Sequence, residues 1–159
     1  MDPQGIFDPQ GLEETIRGFL KKNTAANLAG ADLTGANLAG ANLAGADLEG
    51  ADLPDYQLCP QEGSFIAYKQ VGRGVVLKLE ILGPRTSSLA GRKCRTSRAR
   101  VLEALDSKGL VFPSQYDPKF IYRVGEEVAA SAYNPDIRVE CTRGIHFFMT
   151  EGEAREYGK

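Results

Sequence analysis

No apolar run in the chain approaches the roughly 20 residues that a membrane-spanning helix requires, so no transmembrane segment is expected. The opening stretch, MDPQGIFDPQ, is acidic and has no basic segment leading into an apolar one, so no signal peptide is expected either. Cysteine is scarce: Cys59, Cys94 and Cys141 are widely spaced and odd in number. That argues against a secreted disulfide framework and for a reducing cytoplasm. A net charge of −2 over 159 residues gives no bulk attraction to DNA or to a membrane surface. Two local absences are sharper. Between Asn23 and Tyr68 there is no Lys or Arg, against six acids: Asp32, Asp47, Glu49, Asp52, Asp55 and Glu62. Between Ile81 and Leu102 there is no acid, against six bases: Arg85, Arg92, Lys93, Arg95, Arg98 and Arg100. Such segments either face each other, lie solvated, or form a local anion site in a near-neutral protein.

What fills the acidic segment is a repeat. Leu recurs with a period of five at 28, 33, 38, 43, 48, 53 and 58, with Ala two residues before it from Ala26 to Ala51. Asn or Asp stands between them, at 27, 32, 37, 42, 47 and 52. Five matches neither the 3.6 of a helix nor the 2 of a flat strand. A strict repeat of this kind implies a solenoid whose units bury their apolar residues by stacking on neighbours. Ala and Leu then point inward, with Leu28, Leu33, Leu38, Leu43, Leu48 and Leu53 as the stacked core. The Asn or Asp points out, and Gly closes each unit where the chain turns.

This A-[DN]-L-x-x pattern resembles the pentapeptide-repeat family. The resemblance implies a right-handed, four-sided β-helix with four pentapeptides per coil, so the tract makes fewer than two coils. At strand spacing of roughly 4.8 Å the tower is about 10 Å tall. Longer members of that family imitate duplex DNA; this tract is too short to do so alone. A short array also needs caps. FDPQGLEETIRGFLKKN, before the tract, predicts an amphipathic helix with Asp8 as N-cap, Pro9 in the first turn, and Leu12, Ile16, Phe19 and Leu20 on one face.

From residue 59 onward a second composition begins. SFIAYKQ (64–70) and GVVLKLEIL (74–82) predict a hairpin, and ARVLEAL (99–105) leans to strand. KFIYRVG and IRVECTRGIHFFM predict further strands, and Thr150–Glu153 predicts a capping box opening a terminal helix. GPRTSSLAGRKCRTSR reads as a polar, basic loop. CPQEGSFIAYKQ, RTSSLAGRKCR, YRVGEEV and ECTRGIHFF together resemble an uncharacterised domain that follows short pentapeptide tracts in phage and bacterial proteins. The resemblance implies a cytoplasmic setting, bacterial or that of a phage's host, and no known activity. The expected layout is a capping region at 1–22, a β-helix at 23–58 and a small α+β domain at 59–159, mainly β overall with short helices.

Three constellations could carry chemistry. Arg85, Ser87, Ser88, Arg92, Lys93 and Arg95 offer guanidinium and hydroxyl groups to a phosphate or carboxylate, without P-loop or dinucleotide spacing. Arg143, His146 and Phe148 could add a phosphate contact and a stacking ring for a nucleotide, or simply belong to a core. Cys59, Cys94, Cys141 and His146 have the right chemistry for tetrahedral zinc but lack C-x-x-C spacing; no cofactor is predicted. Cys141 with His146, aided by Glu140 or Glu126, could act as nucleophile and base, although GIHFF reads as a strand core. The expected function is a non-enzymatic binding or interaction protein, a repeat platform whose partner is a protein or a small anionic ligand such as a nucleotide. Homo-oligomerisation through the open coil end fits the same reading. The alternatives are a phosphate- or nucleotide-sequestering domain using 85–98, or a Cys/His enzyme. Sequence-specific DNA binding is not expected, since no reading motif occurs.

Overall fold

The computed structural model describes residues 26–38, 41–53, 58–89 and 91–157. The predicted capping helix lies outside them. Nine strands and one α-helix follow in chain order among the described residues. Three sheets result, all antiparallel: β1(Phe65–Gln70)–β2(Val76–Ile81)–β5(Arg98–Ala104)–β8(Glu127–Ala129), then β3(Arg85–Ser87)–β4(Cys94–Thr96)–β9(Ile145–Phe147), and a hairpin of β6(Val111–Pro113) with β7(Ile121–Arg123). The helix α1, Glu151–Glu156, follows β9 and opens with the expected capping box at Thr150 and Glu153. The described residues are thus mainly β with one short α-helix, and no helix among them is long and apolar enough to cross a membrane.

In the repeat tract the described pairing consists of isolated parallel bridges, Asn27 with Asp47 and Asp32 with Asp52. Each joins residues four pentapeptides apart. Leu28 N donates to Asp47 O at 2.8 Å and Asp47 N to Ala26 O at 2.9 Å; Leu33 and Asp52 repeat the pattern. Within each unit the Ala amide donates to the carbonyl of the Leu three residues earlier, from Ala31–Leu28 to Ala51–Leu48. Gly30, Gly35, Gly45 and Gly50 occupy these turns at φ between 66° and 92°, which excludes most side chains from the position. Leu33, Leu38 and Leu43 are 1%, 3% and 0% exposed, while Leu48 and Leu53, nearer the far end, are only half-buried. All six Asn and Asp residues between Ala and Leu are exposed. They also work locally: Asn27, Asp32, Asn42 and Asp47 each accept from the amide two residues on, fastening the next turn.

In the domain, β2 reads VLKLEI, and its alternation decides its faces. Leu77, Leu79 and Ile81 are buried, against Ala67, Ala99, Val101, Phe112, Tyr122, Ile145 and Phe147. On the outer face Lys78 pairs with Glu103, and Arg100 bridges Glu80 and Glu127, so charges of opposite sign line up across β2, β5 and β8. The ARVLEAL segment is indeed strand, β5. The GPRTSSLAGRKCRTSR segment is a correction to the loop reading: it supplies β3 and β4, and Thr86 to Leu89 and Lys93 to Thr96 are buried. Its hydroxyls and guanidinium find partners inside the fold, so composition alone misplaced it. IRVECTRGIHFFM is likewise strand only at β9; residues 137–144 are turns and bends. A bridge between Tyr68 and Phe148, with both amide bonds made, ties the second sheet to the edge of the first. Leu89 and Ile137 of the domain pack with the repeat leucines, and Arg138 Nη1 donates to Ala46 O at 2.5 Å.

Candidate functional site

Strand alternation at β4 separates the basic cluster into two faces. Cys94 and Thr96 turn to one side, Lys93 and Arg95 to the other, where Arg95 lies opposite His146 on β9. Cys94 shares the core side with Cys59 through Ser87: Ser87 Oγ lies 3.4 Å from Cys59 Sγ and 3.6 Å from Cys94 Sγ. A hydrogen bond from the Cys94 thiol, with help from Ser87 and the Arg85 charge, holds Cys59 down to about 6 despite burial, and the same bond pushes Cys94 up. Cys141 and His146 lie with Lys93 and Arg95 instead, so the four candidate zinc ligands do not converge. No group of three metal-ligating side chains exists among the described residues.

Several basic residues are engaged elsewhere. Arg85 donates to the carbonyls of Gln61 and Gly63 and lies 5.3 Å from the Phe65 ring, closing the entry to β1. Arg92 pairs with Glu153 of α1. Arg95, 0% exposed, donates to Asn134 O at 2.5 Å, to Val139 O at 2.6 Å and to Asp136 O. It is the inner clamp of the 134–139 segment, whose Arg138 reaches the repeat. Ser87 serves the thiol pair and the Leu58 amide, and Ser88 is 1% exposed. Phe148 is 8% exposed and packs on Val76, Ala154 and Tyr157, so it is core rather than a stacking ring. Of the 85–98 candidates, Arg85, Ser87, Arg92 and Arg95 thus have partners within the fold, and Lys93 lines a cavity.

The rest converge on two adjoining cavities. The first, about 270 Å³, is walled by Lys69, Asp117, Phe120, Tyr122, Arg143 and His146, among others. The second, about 570 Å³, is walled by Lys93, Tyr116, Cys141, Thr142, Arg143, His146 and Tyr157. Tyr116, Arg143 and His146 border both. Gly144 makes this possible. At φ 138° it swings the chain so that Arg143 and His146 face one space, and a Cβ there would stand 3.3 Å from Thr96 O. Lys93 Nζ donates to Cys141 Sγ at 2.8 Å and to Tyr157 Oη at 3.2 Å, with the Tyr157 ring 4.9 Å away. Cys141 therefore takes its hydrogen bond from Lys93 rather than from His146. Glu126, one proposed helper, sits 3.9 Å from Arg123, outside both cavities. Burial, with the charges of Lys93, Lys69 and Arg95, lowers His146 from 6.5 to about 3, so it is neutral at pH 7. Its Nε2 is buried without a partner.

Residues 56–154 match the model of a family of unknown function, DUF5758, and residues 24–55 match pentapeptide repeats. The chain belongs to the DUF5758 family. No curated protein and no solved structure matches it. Apart from Tyr157, the named walls of both cavities lie inside the DUF5758 segment, away from the repeat.

Sequence reasoning missed Lys69 at this DUF5758 site, together with the aromatic walls Tyr116, Phe120, Tyr122 and Tyr157. Lys69 Nζ donates to the His146 carbonyl at 3.1 Å and lies 5.7 Å from the Tyr122 ring centre. Burial, reinforced by the Lys93 charge, lowers it from 10.5 to about 8. The signal was present in FIAYKQV: Phe65, Ala67, Lys69 and Val71 share one strand face, and Ala67 and Val71 are fully buried. A lysine in phase with such neighbours points inward.

Proposed function

We propose that this chain is a non-enzymatic binding protein: a pentapeptide-repeat platform carrying a domain whose twin cavities bind a small anion, a phosphate or a carboxylate. The observation that carries the reading is an imbalance of charge. Lys78, Arg92, Arg100, Arg123, Arg138 and Arg155 all have carboxylate partners. Lys69, Lys93 and Arg143, which line the cavities, have none among the described residues. The single acid on the wall is Asp117. Three cations gathered in a concave, partly desolvated space against one carboxylate, and ion-paired with none, attract an anion more strongly than they would in water. Tyr116 and Tyr157, packed edge to face with ring centres 6.2 Å apart, give the outer cavity an aromatic wall against which a nucleotide base or another aromatic ring could lie.

The repeat supports this reading as a mount. Its bridges across four pentapeptides fit the four-sided, right-handed β-helix, and Leu89, Ile137 and Arg138 fasten the domain to it. Three free cysteines fit work in a reducing cytoplasm, bacterial or phage-infected. Calorimetric titration with inorganic phosphate and a panel of nucleotides tests the site. Arg143→Met should weaken binding at least about tenfold, the loss of one charge-assisted bond, while Arg92→Met, at the Glu153 pair, should leave it unchanged. Equal affinity of wild type and Arg143→Met for every anion tried would remove the proposal.

A further inference from the structure

We infer that Lys69 is an imine-forming amine, and that the ligand class the inner cavity accepts is a small anion carrying an aldehyde or keto group. The inference rests on the anion reading just given and adds to it the carbonyl. Its basis is placement. Lys69 rises from the inward face of β1 to the wall of the 270 Å³ cavity, between the Tyr122 ring and the His146 carbonyl. No carboxylate ion-pairs with it among the described residues, so no counter-charge stabilises the ammonium. The one hydrogen bond to a neutral main-chain oxygen orients the nitrogen. Arg143 borders the same cavity with a free guanidinium, placed to hold a carboxylate or phosphate while the carbonyl carbon meets Nζ. Aromatic walls at Phe120 and Tyr122 exclude water from the nitrogen, as a desolvated nucleophilic lysine requires.

With its proton affinity lowered to about 8, roughly a tenth of Lys69 is neutral at pH 7, against less than about a thousandth of an ordinary lysine. The step balances without a cofactor. The ammonium gives one proton to solvent, and the nitrogen lone pair forms a bond to the carbonyl carbon. The resulting carbinolamine loses its hydroxyl, protonated from solvent, as water, and a protonated C=N bond remains. Nothing is oxidised or reduced, and hydrolysis reverses the step, so the chemistry is reversible capture and is compatible with a binding protein.

The test uses the full chain, glyoxylate as the probe and cyanoborohydride to fix any imine as a carboxymethyl amine, read by peptide mass mapping. Lys69 should be labelled about tenfold or more faster than the exposed Lys108 and Lys119 near neutral pH, because its neutral fraction is larger by more than that. Its labelling rate should level off above about pH 8, whereas that of the exposed lysines should keep rising toward their ordinary range. Lys69→Met should lose that fast label alone, and Arg143→Met should slow it. Labelling of Lys69 no faster than of the exposed lysines overturns the inference. Phosphate titration of the same preparations separates it from the anion reading. Phosphate binding without fast Lys69 labelling overturns the imine and leaves the anion site standing. Fast labelling that Arg143→Met does not slow, with no phosphate bound, keeps the amine and overturns the anion site.

Discussion

The coil and the domain place their polar side chains in opposite ways. In the coil every Asn and Asp between Ala and Leu is exposed, and most are satisfied by an amide two residues away, so the solution repeats with the sequence. In the domain, Arg95, Lys93 and His146 turn inward, and their partners come from segments 39 to 64 residues distant, where they have partners at all. A local solution can be copied; a long-range one is made once, around a particular space. The contrast locates function: the cavities gather inward polar groups whose partners are distant in sequence or, at His146 Nε2, missing, and the described residues of the repeat hold no such group.

The largest effect expected from this contrast is in the coil. Leu43→Asp puts a carboxylate where exposure is 0%, among stacked leucines, at a cost of several kcal/mol. Asn42→Ala, one position away but outward, loses only one turn hydrogen bond, about 1 kcal/mol or less. Hydrogen exchange across residues 26–53 should show the tract losing protection in the first variant and keeping it in the second. Equal protection in both would mean that the leucines do not form the interior.

That asymmetry also explains how much was legible beforehand. Period five assigned Leu inward, Asn and Asp outward and Gly to the turn, because each role depends only on neighbours in sequence. The period-2 strands β1, β2 and β5 and the capping box at Thr150 were legible for the same reason. The 85–98 segment was not. Its Gly, Ser and Arg content reads as a solvated loop, and only the distant carbonyls of Asn134, Asp136 and Val139 make a buried Arg95 tolerable. The convergence of Cys141, Arg143 and His146 depends on the φ of one glycine, which spacing does not encode.

The next effect tests whether Arg95 belongs to the structural or the functional side. Arg95→Met strands three half-buried carbonyls and should lower stability to urea by about 3 kcal/mol, with Arg95→Lys, a single donor head, falling between. Because the clamped segment carries Ile137 and Arg138, the coil should lose protection along with it. If Arg95 were instead a ligand residue, phosphate affinity would fall while the urea midpoint stayed in place.

The smallest effect is invisible at neutral pH and concerns His146, the one histidine of the chain. Its proton affinity falls from 6.5 in the unfolded chain to about 3 in the fold, through burial first and then the Lys93, Lys69 and Arg95 charges. Between those values the unfolded chain binds a proton that the folded one refuses, so stability must decline as pH drops from about 6.5 toward 3. Asp32, lowered by hydrogen bonds from Thr34, and Asp106, Asp136 and Glu153, lowered by hydrogen bonds and arginine charges, add their own loss only nearer the carboxylate range. From about pH 6.5 to 5 the slope is the sum of His146 and of Cys59, held at about 6 in the fold, so urea midpoints of wild type should fall across it more steeply than those of His146→Gln, which keeps only the thiol's share. An anion seated in the cavity offsets the three cations and should raise the histidine's proton affinity, so phosphate should flatten the wild-type slope. A wild-type slope already flat without phosphate, or one that His146→Gln reproduces, would mean that the imidazole is hydrated and that the cations beside it do not share one enclosed space.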